Sequence, residues 1–130
     1  MGTFRIRQAA ELLGVSDDTV RRWADTGRLA TVTDASGRQA VEGAVLAHFA
    51  EQLATTPDTG GTRGSARNRF AGLVTNVVRD TVMAKVDLQC GPFRVVSLMS
   101  REAADELGLE PGVLAVAVVK ATTVVVERPR

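Results

Sequence analysis

The chain has 130 residues, 45% of them apolar, and a formal net charge of +1. That length fits one ordinary domain or two very small ones, and the charge excludes the global basic footprint of many nucleic-acid-binding proteins. Cys90 is the only cysteine and His48 the only histidine, which excludes an intrachain disulfide and a His/Cys zinc cluster.

The charge divides unevenly. Residues 1–64 carry seven Arg against eight Asp and Glu, net −1; residues 65–130 carry nine Lys and Arg against seven acids, net +2. Contact with a polyanion must therefore come from a local patch. The N-terminal stretch holds Arg5, Arg7 and Glu11 and no apolar run of signal-peptide type. No stretch approaches the ~20 apolar residues that cross a bilayer, so a soluble, cytoplasmic protein without a membrane partner is expected.

Residues 3–54 read as helical. Ala9, Leu12 and Leu13 form an apolar stripe that Gly14 ends. Ser16 caps a second helix whose first turn holds Asp17 and Asp18, where the helix dipole favours anions. This helix runs to about Thr26 and buries Val20, Trp23 and Ala24, with Gly27 stopping it. Leu29 to Val32 and Gln39 to Val41 flank the turn signal Asp34-Ala35-Ser36-Gly37 and predict a short hairpin. A last helix from about Glu42 to Leu53 packs Val45, Phe49 and Leu53. Two short helices joined by Gly14-Val15-Ser16 have helix-turn-helix spacing, which puts the second helix in the major groove of double-stranded DNA. Ser16, Thr19, Arg21 and Arg22 line its exposed face, and Arg28 and Arg38 flank it as phosphate or minor-groove contacts.

Residues 55–64, with three Gly, a Pro and no apolar residue, read as a flexible linker between domains at 1–54 and 65–130. Val-rich alternation then predicts strands near 70–78, 81–89, 92–99 and 113–119 and a fifth near 123–127. A short helix capped by Ser100, with Ala103 and Leu107 inward, ends at Gly108. The fold class expected is α+β in two domains: a small winged helix-turn-helix, then a five-stranded OB-like β-barrel with one short helix.

Three stretches of the second half offer donors without acceptors. Ser65-Ala66-Arg67-Asn68 supplies a hydroxyl, N–H groups and a guanidinium. Ser100 supplies a hydroxyl at a helix start, and Lys120-Ala121-Thr122 an ammonium beside a turn. Such a set suits a fully deprotonated tetrahedral dianion, whereas phosphate keeps a proton near neutral pH and wants an acceptor. No paired carboxylates and no nucleophile beside a base are legible, so no enzyme is expected.

These same motifs carry two resemblances. Ile6 to Ser16, followed by Thr19-Val20-Arg21-Arg22-Trp23 and Thr26-Gly27-Arg28-Leu29, resembles the winged helix of excisionase-like and mercury-resistance-regulator-like domains over residues 3–54. Its hairpin is poorer in Arg than that group's wing, with Arg38 nearly alone. Ser65 to Asn68, Gly72, Ser100 with Glu102, Glu106-Leu107-Gly108-Leu109, Pro111-Gly112 and Val119-Lys120-Ala121 resemble the molbindin or TOBE-type domain over residues 65–126. This second resemblance implies molybdate or tungstate held between subunits of a dimer or hexamer. It implies Ser65, Ala66 and Arg67 of one chain and Ser100, Lys120 and Ala121 of another as ligands; Ala103 stands where the family often has Ser. The expected function is a molybdate- or tungstate-responsive transcriptional regulator. The alternatives are molybdate storage or buffering, and an architectural DNA-binding protein whose barrel only oligomerises.

Overall fold

In the computed structural model, which describes residues 2–130, the chain forms two compact units, Met1–Thr55 and Thr56–Arg130. The first unit opens with strand β1 (Thr3–Arg5), where the sequence suggested helix. Three residues are too few to carry a readable alternation. The strand exists because its ladder partner, β3 (Gln39–Glu42), pairs Thr3 with Glu42 and Arg5 with Ala40. β2 (Val32–Thr33) flanks β3 on its other side, giving an antiparallel sheet in the order β1-β3-β2.

Helices α1 (Ile6–Leu13) and α2 (Asp17–Asp25) meet at a tight turn. Gly14 closes α1 at φ 71°, a conformation open to glycine at no steric cost. Ser16 Oγ accepts from Thr19 N–H at 3.2 Å and starts α2. Helix α3 (Gly43–Leu53) completes the unit. Ile6, Ala9, Ala10, Val20, Leu29, Val41, Leu46 and Phe49 form its core. The expected stripe is corrected at Leu12, which is 63% exposed. The helix phase turns Ile6, Ala9 and Ala10 inward instead, and Leu13 lies at the core's edge. Trp23 packs its ring 5.0 Å from that of Phe49.

The second unit is one curled antiparallel sheet, ordered β6-β5-β4-β7, with a short helix. Its strands are β4 (Asn68–Arg79), β5 (Met83–Cys90), β6 (Phe93–Ser100) and β7 (Leu114–Val119). The long strand β4 changes partner along its length. Its first half pairs with β7, from Asn68↔Val119 to Leu73↔Leu114, and its second half with β5, from Leu73↔Gln89 to Arg79↔Ala84. Gly72 sits at the handover. A Cβ there would collide with the Gln89 carbonyl oxygen and lie 2.7 Å from Cys90 Sγ, so only glycine allows this approach. A bulge at Thr75 then shifts the register.

Ser100 Oγ accepts from Ala103 N–H at 3.1 Å and starts α4 (Arg101–Glu106). The inward residues are Ala104 and Leu109, both buried, rather than Ala103 and Leu107; Leu107 is 66% exposed. The cap at Ser100 is where the sequence put it, but packing against the sheet selects Ala104 as the inward residue, and Gly108 at φ 64° turns Leu109 back into the core. Met83 is likewise on the exposed face of the sheet, while Met99 packs against the core.

Among the described residues the fifth strand expected near 123–127 is not formed. A 3-10 turn over Ala121–Thr123 follows β7, and the residues after it join no ladder. Val125 and Val126 are 84% and 85% exposed. Strand propensity needs an edge to pair with, and none within the chain receives this segment. On the inner side of the sheet, β6 and β7 leave an apolar cavity of about 400 Å³ lined by residues such as Val95, Met99, Leu109 and Ala117.

Candidate functional site

Asn68 brings two of the three donor stretches together. It pairs with Val119 at the start of β4, and its Nδ2 donates to the Val119 carbonyl at 3.0 Å. The ladder therefore sets Ser65, Ala66 and Arg67 beside Lys120, Ala121 and Thr122. The Arg67 Nη1 donates to the carbonyls of Gly64 at 3.2 Å and Ser65 at 3.3 Å, which wraps the loop around its own guanidinium. In the 3-10 turn, Thr123 N–H and Thr123 Oγ1 both donate to the Lys120 carbonyl, at 3.0 and 2.8 Å. The N–H groups of Ala121 and Thr122 open the turn and take no part in its internal bonds. Among the described residues neither Arg67 nor Lys120 has a carboxylate partner.

Ser100 lies elsewhere. It pairs with Met83, at the end of the sheet where β4 finishes at Arg79. Lys120 is at the other end of β4, whose 12 residues correspond to roughly 36 Å of path at the usual strand rise. Lys120 and Ala121 thus share their end of the ladder with Arg67 of the same chain, while across the curl of the sheet Ser97 and Met99 of β6 line the same cavity as Val118 and Val119 of β7. The depression beside Ser100 is lined by Glu102, Asp105 and Glu106 together with Arg101, so carboxylates stand near this third donor. The Ala103 N–H is already donated to Ser100 Oγ. That bond uses an acceptor lone pair of the hydroxyl and leaves its hydrogen to point outward.

The end that carries Ser100 is braced by charge. Asp80 Oδ1 accepts from Met83 N–H at 2.7 Å and Val82 N–H at 2.8 Å, and the Val82 carbonyl accepts from Arg101 N–H at 2.8 Å. The Met83 and Val82 N–H groups, in that order, hold the Asp80 carboxyl below the usual carboxylate range, helped by the Arg101 guanidinium. Arg79 ties α4 to the sheet through Asp105 Oδ1 at 3.0 Å and the Leu109 carbonyl at 2.9 Å. The Val82–Arg101 bond and the Arg79 ties were not legible in sequence, because each joins residues that only the fold brings together, whereas the Asp80 bonds are local.

In the first unit, Ser16, Thr19, Arg21 and Arg22 are accessible at the start and on the outer side of α2, with Thr19 the least exposed of them. Ser16 Oγ and Thr19 Oγ1 bond each other at 2.9 Å, and Arg21 Nη1 reaches Asp18 at 3.3 Å. Arg28 folds back, its Cζ 5.6 Å from the Trp23 ring centroid. Arg22 and Arg38 form no ion pair among the described residues. The β2–β3 loop that carries Arg38 is organised by Asp34. The Asp34 carboxyl lies below its usual range, chiefly through the Ser36 hydroxyl, then the Arg38 and Ser36 N–H groups and the Arg5 guanidinium.

Both units match known domains. Residues 64–126 match the TOBE domain, and residues 3–53 match a helix-turn-helix domain. The chain belongs to the TOBE (molbindin) family through its second unit, with a helix-turn-helix domain ahead of it. Among similar proteins, molybdenum-pterin-binding protein 2 of Clostridium pasteurianum is 36% identical over 63 residues, 48% of this chain and 93% of that protein. The solved structure of a molybdate binding protein from Sporomusa ovata is 31% identical, with a TM-score of 0.50, over 52% of this chain and 100% of that one. The structure of MopII from Clostridium pasteurianum is 34% identical, with a TM-score of 0.48, over 51% of this chain and 100% of that one. Among the described residues no helix is long and apolar enough to cross a membrane.

Proposed function

We propose that this chain is a cytoplasmic DNA-binding regulator that responds to molybdate or tungstate, and acts by binding rather than by catalysis. The observation that carries the reading is the cluster of Arg67, Lys120 and the Ala121 and Thr122 N–H groups, gathered by the Asn68–Val119 pair with no carboxylate bonded to its cations. Donors alone favour a dianion that carries no proton. Relatives named for molybdate and molybdenum-pterin binding, at 31% and 36% identity, support that choice of anion.

A second copy completes the site. Ser65, Ala66 and Arg67 of one chain meet Ser100, the α4 start at Ala103, Lys120 and Ala121 of another, the grouping that the molbindin resemblance implies. The exposed Val124–Val126 segment and the apolar cavity between β6 and β7 supply a means of association: the segment of one copy fills the opening of the next, in a dimer or a hexamer. Paired helix-turn-helix units then face adjacent half-sites of double-stranded DNA, with Ser16, Thr19, Arg21 and Arg22 toward the major groove and Arg38 on the hairpin wing. Arg28 contributes less directly, since it is stacked on Trp23.

Titration calorimetry with molybdate, tungstate and sulfate tests the site. Heat with the first two, little with sulfate, and its loss in Arg67→Ala and Lys120→Ala are expected; heat retained in both variants refutes this location. Operator affinity measured with and without molybdate tests the regulator: an unchanged affinity refutes a response to the anion. One observation favours storage or buffering instead. The relatives are spanned almost whole by the second unit, so that unit is close to an entire protein in those cases. Molybdate binding by a chain that selects no duplex from a random pool would decide for that role.

A further inference from the structure

The loop joining β2 to β3 is built on one carboxylate. Asp34 Oδ1 accepts from Ser36 Oγ at 2.7 Å, from Ser36 N–H at 2.9 Å and from Arg38 N–H at 3.0 Å. Asp34 N–H donates to the Arg38 carbonyl at 2.8 Å, and Gly37 N–H to the Asp34 carbonyl at 3.0 Å, with Gly37 at φ 81°. The second carboxylate oxygen lies 3.9 Å from Arg5 Nε. Arg5 belongs to β1 and pairs with Ala40 of β3, so the loop tip is tied to the strand on the far side of the sheet.

Two features of this arrangement bear on Arg38. Its backbone is held at both its N–H and its carbonyl by Asp34, so the direction in which the side chain leaves the loop is set. Its guanidinium forms no ion pair or hydrogen bond among the described residues, while Arg5, Arg7 and Arg21 each have a carboxylate within 4.0 Å. Of the two carboxylates within four residues of Arg38, Asp34 is spent on other donors and Glu42, at the far end of β3, forms no ion pair with it. A free guanidinium on a loop ordered in advance suits a phosphate oxygen, which any duplex presents at a fixed spacing.

We propose that Asp34 is the positioning residue of the wing: it fixes the β2–β3 loop so that Arg38 reaches a backbone phosphate of the duplex. The inference rests on the reading of the first unit as a DNA-binding unit. Asp34 itself touches no DNA.

The test uses the full chain and a duplex that the full chain selects from a random-sequence pool, with affinity measured across a salt series. The variants are Arg38→Ala, Asp34→Ala, Asp34→Asn and the double variant Asp34→Ala/Arg38→Ala; melting of each confirms folding. Arg38→Ala is expected to weaken binding roughly five- to tenfold and to lower the salt slope by about one. Asp34→Ala is expected to do the same, and the double variant to be no weaker than Arg38→Ala alone. Asp34→Asn keeps the Oδ1 acceptor and recovers most of the affinity. Wild-type affinity in Asp34→Ala, losses that add in the double variant, or a folded Asp34→Asn as weak as Asp34→Ala each overturn the inference while leaving DNA binding intact. A neutral Arg38→Ala overturns the phosphate contact and the inference with it. A wild-type chain that selects no duplex overturns the DNA-binding reading as well.

Discussion

Replacing Gly72 with alanine puts a methyl group where β4 passes from β7 to β5. The added Cβ would collide with the Gln89 carbonyl oxygen and stand 2.7 Å from Cys90 Sγ. The first neighbour is backbone of a central strand and cannot rotate away, so relief requires β4 and β5 to part. Overpacking of this kind costs about 3 kcal/mol. For a unit of this size that lowers the melting temperature by about 12–24 °C. Far-UV circular dichroism reads both units and fluorescence of Trp23, the only tryptophan, reads the first alone, so the sheet transition is the ellipticity change that has no fluorescence counterpart. The sheet transition is expected to fall while the Trp23 transition holds. Adding Cys90→Ala removes the sulfur but not the carbonyl, and so restores less than half the loss. A Gly72→Ala chain whose sheet melts within about 2 °C of wild type refutes the steric argument.

Leu29→Ala, at a fully buried core position, is expected to cost about 2–4 kcal/mol in chemical denaturation. Leu12→Ala, the same change on an exposed helix position, stays within about 0.5 kcal/mol. The carboxyl groups of Asp34 and Asp80 are held below their ordinary range, so each stabilises its unit above the unfolded carboxylate pKa of about 3.9 and loses that contribution as pH falls through the lowered value. Thermal melts of Asp80→Asn between pH 3 and pH 7 should therefore lose less on acidification than wild type; an equal loss removes Asp80 from the account. Val125→Lys is expected to leave the unit folded, reduce its mass in light scattering to that of one chain, and abolish the molybdate heat. An unchanged oligomer in that variant excludes the valine segment from the subunit contact.

Features set by local chemistry were legible in the sequence. Gly14 and Gly108 close helices at positive φ, and Ser16 and Ser100 cap them, because each acts within four residues of itself. Four of the strands were found for a similar reason, since their alternation is long enough to read. The inward faces of α1 and α4 were misread at Leu12, Ala103 and Leu107. Helix phase follows from what the helix packs against, and a one-residue error exchanges a buried position for an exposed one. β1 and the missing fifth strand fail in opposite directions for one cause: a strand is a property of a pair of edges. Thr3–Arg5 has a distant partner and forms, whereas Val124–Val126 has strong propensity and no partner in the chain. The donor residues themselves were readable as chemistry. Their placement on the sheet was not, because the register that sets Arg67 beside Lys120 and pairs Ser100 with Met83 is spread over β4, β5, β6 and β7.

The valine segment has a further consequence. Beyond the Val124 N–H, which closes the 3-10 turn on Ala121, the segment joins no ladder, and an unpaired run with three adjacent β-branched side chains is the material from which cross-β stacks grow. The segment is thus an aggregation hazard, and in the proposed assembly the copy that covers it also shields it. A chain cut before Val124 should aggregate less on heating than the full chain, as read by turbidity.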